Sequence, residues 1–304
     1  MSKFTQGRAF VLKSIVKNKT LIPHHTSLAG KTYIVSGGSR GIGYNIAEKL
    51  VAKGANVSIL GKTVTPHKKL ENTIYSAAIE INNQSFTGNC IGIPCDVRDP
   101  PQIDNAIKET MRHFNERLDG VVLNASALCL NTTLKQTLKE VNLMTDVNIK
   151  GSFLMGKKCL EYISKSKSDA GNVLIIAPPM SMIETDDWWV DHLYYSMSKF
   201  NMTLMARYWN KEFPNVAVNT LWPRTTIDTA PVRNLLGGQE MVNISRTADI
   251  MGDAARHIFL ANPKKCTGFH FIDDEVIASV DGNVEKYRVD PTITEKELMP
   301  DFFC

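Results

Sequence analysis

Short apolar runs rich in β-branched residues alternate with longer amphipathic segments from residue 31 onward. The apolar runs predict strands at residues 32–36, 56–60, 91–94, 120–123, 172–177, 216–221 and 268–272. Helical periodicity lies between these strands, for example at Ile42–Lys53, Pro101–Asn115, Leu138–Lys165 and Ser196–Glu212. Strands without a polar face, separated by helices, predict a parallel sheet that is covered on both sides. The expected fold is therefore α/β, a single doubly wound parallel-sheet domain over residues 31–280, followed by a C-terminal tail over residues 281–304.

The charged residues are unevenly distributed along the chain. Lys and Arg number 35 against 31 Asp and Glu, but the first acid is Glu48, so residues 1–30 form a basic N-terminal arm. Apolar residues in this arm alternate with Lys, Arg, Ser and Thr, a composition typical of a mitochondrial transit peptide. We therefore expect a mitochondrial location. The alternatives for the arm are a solvated basic tail and a segment that docks on a protein partner. The alternative locations are peroxisomal and cytoplasmic.

The composition also narrows the classes of ligand. The chain beyond the arm is close to neutral, which argues against nucleic-acid binding, because phosphate contacts need a basic face on the folded domain. No apolar run approaches the 18 or so residues that cross a bilayer, so no transmembrane segment is expected. The 6 cysteines show neither a Cys-x-x-Cys pair nor zinc-site spacing, so no metal is expected and a reducing compartment is indicated.

A glycine-rich loop joins the first predicted strand to the first predicted helix. Its sequence is Ser36-Gly37-Gly38-Ser39-Arg40-Gly41-Ile42-Gly43. Glycines allow a tight turn and close approach of the backbone to a ligand, and the following helix start attracts a pyrophosphate. The loop therefore predicts a dinucleotide site. The candidate binding residues are Ser36, Gly37, Ser39, Arg40, Gly41, Ile42 and Gly43. An ordinary strand-to-helix turn is the alternative.

The end of the second strand bears on the choice of cofactor. An acid about 20 residues after the loop would hold the ribose hydroxyl of NAD. That position is Gly61, and Lys62 follows it. Arg40 and Lys62 are instead suited to bind a 2′-phosphate through charge-assisted hydrogen bonds, which predicts NADP in preference to NAD. The alternative is that both are solvated surface cations.

Tyr195 and Lys199 lie four residues apart at the start of a predicted helix, which places both side chains on one helix face. A tyrosine hydroxyl titrates near pH 10, so general acid/base work near neutrality requires a neighbouring positive charge. Lys199 is suited to supply that charge. Alone, this spacing is more often a packed Tyr beside a surface Lys.

Together with the glycine loop, this pair resembles the short-chain dehydrogenase/reductase family over residues 31–280. The resemblance implies a Rossmann-type domain, an NAD(P) cofactor and interconversion of an alcohol and a carbonyl. It assigns Tyr195, Lys199 and Asn148 to catalysis and Lys199 also to the cofactor ribose. Further cofactor contacts are expected from Asp96 and Val97 after the third strand, Asn124 and Ala125 after the fourth, and Pro223 on the nicotinamide side. Within the family, the resemblance is greatest to a branch that continues into a sterol-carrier domain, which we do not expect in this chain.

One position departs from the family pattern. The fifth strand ends at Ala177, where the family places a serine that holds the substrate oxygen, and Ser181 is the nearest hydroxyl. We predict Ser181 as a replacement in the catalytic set. The expected function is an NADP-dependent oxidoreductase for a small-molecule carbonyl or alcohol of lipid-like character. A catalytically weak, nucleotide-binding accessory subunit of a mitochondrial, respiratory-type assembly is the alternative.

Overall fold

A parallel sheet of seven strands runs through the computed structural model, which describes residues 23–67, 72–165, 171–181, 191–280 and 282–302. The strands are β1 Thr32–Ser36, β2 Asn56–Gly61, β3 Asn89–Pro94, β4 Gly120–Leu123, β5 Gly171–Ile176, β6 Val216–Trp222 and β7 His270–Ile272. Their spatial order is β3-β2-β1-β4-β5-β6-β7. All seven predicted strands are confirmed. The order reverses at β1 and β4, and such a reversal opens a crevice at the carboxyl ends of the strands.

Helices connect successive strands and cover both faces of the sheet. They are α1 Gly41–Val51, α2 Ile74–Asn82, α3 Pro100–His113, α4 Leu138–Met144, α5 Ser152–Ile163, α6 Leu193–Glu212, α7 Ala230–Leu235, α8 Gly238–Asn243, α9 Asp249–Leu260 and α10 Asp273–Val280. The helix predicted over Leu138–Lys165 is divided, because the wider π-helical turn Thr145–Gly151 lies between α4 and α5. Helix α6 begins three residues before the predicted start at Ser196.

The sheet lies between two apolar layers, and β1 shows why its strands lack a polar face. Tyr33 and Val35 pack into the layer formed with α1, α9 and α10, whereas Ile34 packs into the layer formed with α3 and α5. Successive side chains of a strand point to opposite faces, so a strand covered on both sides must be apolar throughout. This arrangement explains the uninterrupted apolar runs in the sequence.

Both ends of the described chain pack on this domain. Leu28 is buried, and the His24 N–H donates to the Leu260 carbonyl at 2.8 Å. At the other end, the Thr226 N–H donates to the Met299 carbonyl at 2.8 Å. The boundaries predicted at residues 30 and 281 stay predictions, but residues 23–30 and 282–302 contribute contacts to the folded body.

The described residues contain neither a membrane-spanning helix nor a metal-binding cluster. Within the described ranges, no helix combines the length and apolar character needed to cross a bilayer. The same part of the chain holds no group of three or more His, Cys, Asp or Glu side chains arranged to bind a metal ion.

The Asp119 carboxylate links the loop before β4 to the start of β1. It accepts a hydrogen bond from the Thr32 N–H at 2.8 Å and two from Arg117 at 2.6 and 2.7 Å. We expect Asp119→Ala to lower the free energy of unfolding by about 2–3 kcal/mol, because a buried N–H loses a charged acceptor. Urea denaturation measures this change.

The matched control is Asp104→Ala. Asp104 pairs with Lys158 at 3.1 Å, but both side chains are partly exposed to solvent. We expect this change to cost less than about 1 kcal/mol. Equal costs for the two variants would contradict the role assigned to Asp119.

Candidate active site

A cleft of about 870 Å³ opens at the carboxyl edge of the sheet. Most of the residues predicted for cofactor binding and catalysis line it. They are Gly37, Ser39, Arg40, Gly41, Ile42, Gly43, Lys62, Asp96, Val97, Asn124, Ala125, Tyr195, Lys199 and Pro223. The parallel strands explain this assembly, because each loop that follows a strand emerges at the same edge.

The glycine loop is held against the loop after β4. The Asn124 side-chain amide donates to the carbonyls of Ser36 and Gly37 at 3.0 and 3.1 Å. The Ser36 hydroxyl accepts hydrogen bonds from the N–H groups of Asn124 and Ala125 at 3.0 and 3.1 Å. Ser36 is buried and does not line the cleft, so the structure gives it a supporting role and no support as the direct cofactor contact that the sequence predicted.

Gly43 shows why the loop requires glycine. A Cβ atom there would lie 2.4 Å from the Gly37 carbonyl oxygen and 2.5 Å from the Asn124 side-chain nitrogen. Gly37 and Gly41 adopt φ angles of 69° and 53°, which side chains disfavour. The first residues of α1 therefore border the cleft with little side-chain cover. That cradle fits the pyrophosphate of a dinucleotide.

The far end of the cleft carries positive charge. Lys62 is 58% exposed, and its Nζ lies 3.8 Å from the nearer Asp96 oxygen. The Arg40 side chain borders the same end and donates to the Asn72 carbonyl at 2.8 Å. Hydrogen bonds from Arg98 hold the pKa of Asp96 at about 2, so this acid is ionised and already paired.

Tyr195 and Lys199 stand together at the opposite end, on α6. Both are buried, with 6% and 2% of their surface exposed. The Lys199 ammonium donates to the Ile176 carbonyl at 2.7 Å and lies 5.1 Å from the centre of the Trp222 ring. Burial lowers the pKa of Lys199 to about 7 and raises the pKa of Tyr195. The tyrosine therefore carries its proton at neutral pH and can donate it.

Asn148 lies on the π-helical turn, fully buried beneath the cleft. Its Oδ1 accepts hydrogen bonds from the Ala127 N–H at 2.7 Å and the Ser126 hydroxyl at 3.1 Å. Its amide donates to the Ala127 carbonyl and to the Ser198 hydroxyl, both at 2.9 Å. Ser198 in turn donates to the Tyr195 carbonyl at 2.7 Å. Asn148 thus ties the loop after β4 to the helix turn that carries Tyr195.

The structure does not bring Ser181 into this group. Ala177 is buried just after β5, where its N–H donates to the Leu221 carbonyl at 3.2 Å. Ser181 is exposed and is not among the residues that line the cleft. The geometry therefore gives no support to Ser181 as a replacement for the missing hydroxyl, and residues 182–190 lie outside the described part of the chain.

Sequence reasoning missed several residues of the site. Trp222 lies over Lys199, while Asp301 and Phe302 reach the cleft from the C-terminal end of the chain. Ser126 and Ser198 complete the hydrogen bonds of Asn148. No spacing rule connects a C-terminal segment to a helix in mid-chain, so these contacts carried no signal in the sequence.

The chain belongs to the short-chain dehydrogenase/reductase family. A family model described as short chain dehydrogenase matches residues 31–236. The fold agrees: a solved protein of Xanthomonas campestris superposes with a TM-score of 0.81 at 37% identity, covering 91% of this chain and 99% of that one. A short chain dehydrogenase of Mycobacterium thermoresistibile gives 0.80 at 36% identity, covering 90% and 95%.

Among curated proteins, this chain is similar to hydroxysteroid dehydrogenase-like protein 2. Identity is 40% over 288 residues to the Mus musculus protein and 39% over 286 residues to the Homo sapiens protein, covering 93% of this chain in each case. The chain spans 56% of the mouse protein and 65% of the human protein.

Gly43→Ala tests the glycine cradle. The added methyl would meet the Gly37 carbonyl, so the loop must shift away from Asn124. Overpacking of about 1–3 kcal/mol corresponds to roughly 5- to 150-fold weaker NADPH binding. Isothermal calorimetry measures the Kd, and circular dichroism establishes that the variant is folded. A folded variant with an unchanged Kd would contradict the cradle.

Proposed function

We propose that the protein is an NADP-dependent oxidoreductase that interconverts an alcohol and a carbonyl. One observation carries this proposal: the buried pair of Tyr195 and Lys199 lines the same cleft as the glycine cradle. The residues present fit a dinucleotide, because the cradle leaves space where side chains would otherwise stand. A bound nicotinamide cofactor supplies or accepts the hydride.

Tyr195 supplies the proton in the direction of reduction. Its hydroxyl is protonated at neutral pH, since burial raises its pKa, and it loses the proton to the oxygen of the substrate carbonyl. The resulting phenolate is costly in a buried site unless a positive charge lies nearby. Lys199, one helical turn away, supplies that charge when protonated, and its pKa of about 7 allows proton exchange near neutrality.

The charge around the end of β2 supports the preference for NADP. The described acids that line the cleft are Asp96 and Asp301, and neither lies on β2. Asp96 is paired with Arg98, and Gly61 presents no carboxylate to repel a 2′-phosphate. Lys62 is exposed enough to turn toward a phosphate, so a 2′-phosphate gains attraction, while the nearby Asp96 carboxylate is already paired with Arg98.

The cleft surface supports an apolar substrate. Apolar side chains border the space around Tyr195 and the segment after β6: they are Leu128, Leu143, Trp222, Val232, Leu235, Leu236 and Phe302. A lipid-like carbonyl compound would bury its apolar surface against them. The name of the curated relatives points to steroid-like compounds for those proteins, and the same substrate class is our proposal here.

A mitochondrial location also remains our proposal, and it rests on the composition of the arm. Residues 1–22 lie outside the described part of the chain, so protein partners of the arm are a proposal as well. The described residues offer no observation in favour of the accessory-subunit alternative.

Lys62→Ala tests the cofactor preference. We expect it to weaken NADPH binding by about fivefold, equivalent to about 1 kcal/mol for a charge contact in a solvated position, while NADH binding changes little. Fluorescence titration of the reduced cofactors measures both Kd values. Lys150→Ala is the matched control, because it removes the same charge from an exposed site that pairs with Asp146 outside the cleft. Equal losses for NADPH and NADH, or tighter wild-type binding of NADH, would refute the preference.

Ala177→Ser tests the cost of the missing hydroxyl. We expect an unchanged kcat for carbonyl reduction, because Ala177 packs in the layer formed with α3 and α5 and does not line the cleft. A new hydroxyl that did reach the developing charge would instead raise kcat by about 10²–10³. Steady-state assays with NADPH measure it, and Tyr195→Phe must abolish activity in both backgrounds. Because Ser181 is exposed, Ser181→Ala is expected to retain wild-type kcat; a large loss would restore Ser181 to the catalytic set.

A further inference from the structure

The segment Met299–Phe302, here called the C-terminal strap, runs beside the chain that follows Pro223. The Thr226 N–H donates to the Met299 carbonyl at 2.8 Å, and the Asp301 N–H donates to the Arg224 carbonyl at 3.0 Å. Thr225 and Pro300 form an antiparallel bridge between these contacts. The strap is therefore held by backbone hydrogen bonds against the segment after Pro223, which borders the cleft.

The strap ends inside the cleft, beside the catalytic tyrosine. Phe302 and Asp301 both line the cleft. The Phe302 ring stands edge-on to the Tyr195 ring, with centroids 6.2 Å apart and an interplanar angle of 80°. The Phe302 carbonyl accepts a hydrogen bond at 2.7 Å from the indole N–H of Trp222, the residue whose ring lies over Lys199.

The residues before the strap fix its position. Leu298 is buried, and the Met299 N–H donates to the Ile244 carbonyl at 2.8 Å. Glu295 forms an ion pair with Arg246, a fully buried side chain that also lies 3.8 Å from Asp274 of α10. A segment held at this many points keeps the Phe302 ring in one place, as a specificity wall requires.

Asp301 gives a second, electrostatic link to the reacting groups. The half-buried side chain lines the cleft, and its carboxyl accepts a hydrogen bond from the Phe302 N–H at 2.7 Å. Burial raises the pKa of Asp301 to about 8, and the nearby Lys199 acts in the opposite direction. The carboxyl and the ammonium are thus close enough to influence each other's charge.

We propose that Phe302 is a specificity-determining residue, whose ring forms the wall of the substrate space beside Tyr195. The proposal rests on the proposed function, and it extends the active site into the C-terminal strap. A substituent on the reacting carbon must share space with that ring when the carbonyl oxygen meets the Tyr195 hydroxyl. Each methylene accepted or rejected by an apolar wall changes transition-state binding by roughly 10- to 200-fold.

The test is a series of methyl ketones whose second substituent grows from butyl to cyclohexyl to 2-naphthyl. We expect Phe302→Ala to raise the ratio of kcat/KM for the naphthyl ketone to that for the butyl ketone by at least about tenfold. Phe302→Leu is expected to give an intermediate ratio. NADPH binding should stay within about threefold of wild type, because the ring is a wall of the substrate space.

Leu298→Ala is the matched control for a merely structural strap. Leu298 is buried just before the strap but does not line the cleft. Its truncation should lower the melting temperature and leave the ketone ratio at the wild-type value. The same shift of ratio in Leu298→Ala and Phe302→Ala would overturn the proposal, as would an unchanged ratio in Phe302→Ala. If Phe302→Ala does not fold, the ketone ratio of Phe302→Leu tests the proposal in its place.

The outcome for the wild-type chain separates this proposal from the proposed function. If wild type reduces the ketones, the kcat/KM ratios decide the role of Phe302 alone. If it binds NADPH without turnover, the proposed activity fails, and the role of Phe302 is then tested by the ratio of ketone Kd values for the NADP⁺-loaded protein, measured by calorimetry. Absence of any nucleotide binding by wild type would overturn both.

Discussion

A lysine ammonium withdrawn from water is the feature on which the active-site end of the structure depends. Lys199 is 2% exposed, and an unsupported charge at such a position would lose its proton. Three groups oppose that loss: the Ile176 carbonyl at the end of β5, the face of Trp222 at the end of β6, and the Asp301 carboxyl. They come from distant parts of the chain, so the balance that sets the pKa of Lys199 at about 7 requires the complete fold.

The parallel arrangement of the sheet meets this constraint. Ile176 and Trp222 end neighbouring strands, which places their loops side by side at the carboxyl edge. Ser36 and Asn124 do the same for β1 and β4, where they fix the glycine loop. One edge of one sheet therefore supplies both the cradle for a pyrophosphate and the polar pocket for a proton donor. The separation between them is set by strand spacing, which side-chain changes do not alter.

Much of this arrangement could be predicted from the sequence, because its signals are local. Fully buried strands appear as apolar runs, and the turn from β1 to α1 appears as a glycine pattern. The π-helical turn at Asn148 could not be predicted, because one wider turn leaves the periodicity of residues 138–165 nearly unchanged. The exposed position of Ser181 could not be predicted either, because its nearness in sequence to Ala177 does not give the direction of the chain after β5. Contacts of Asp301 and Phe302 depend on tertiary packing alone.

Because Ala177 has no hydroxyl, other groups must orient a substrate. With no hydroxyl at the end of β5, Tyr195 is the remaining hydrogen-bond donor of the family pattern for the carbonyl oxygen. One hydrogen bond does not fix the direction from which a substrate approaches. Steric exclusion can fix this direction, because an apolar substituent confined between rigid walls has few orientations. Orientation contributes strongly to the reaction rate. Trp222 and Phe302 are joined by a hydrogen bond and both border the cleft, so they form such a wall. The proposed aromatic wall at the C-terminal strap would then orient the substrate where a polar contact at the end of β5 is missing.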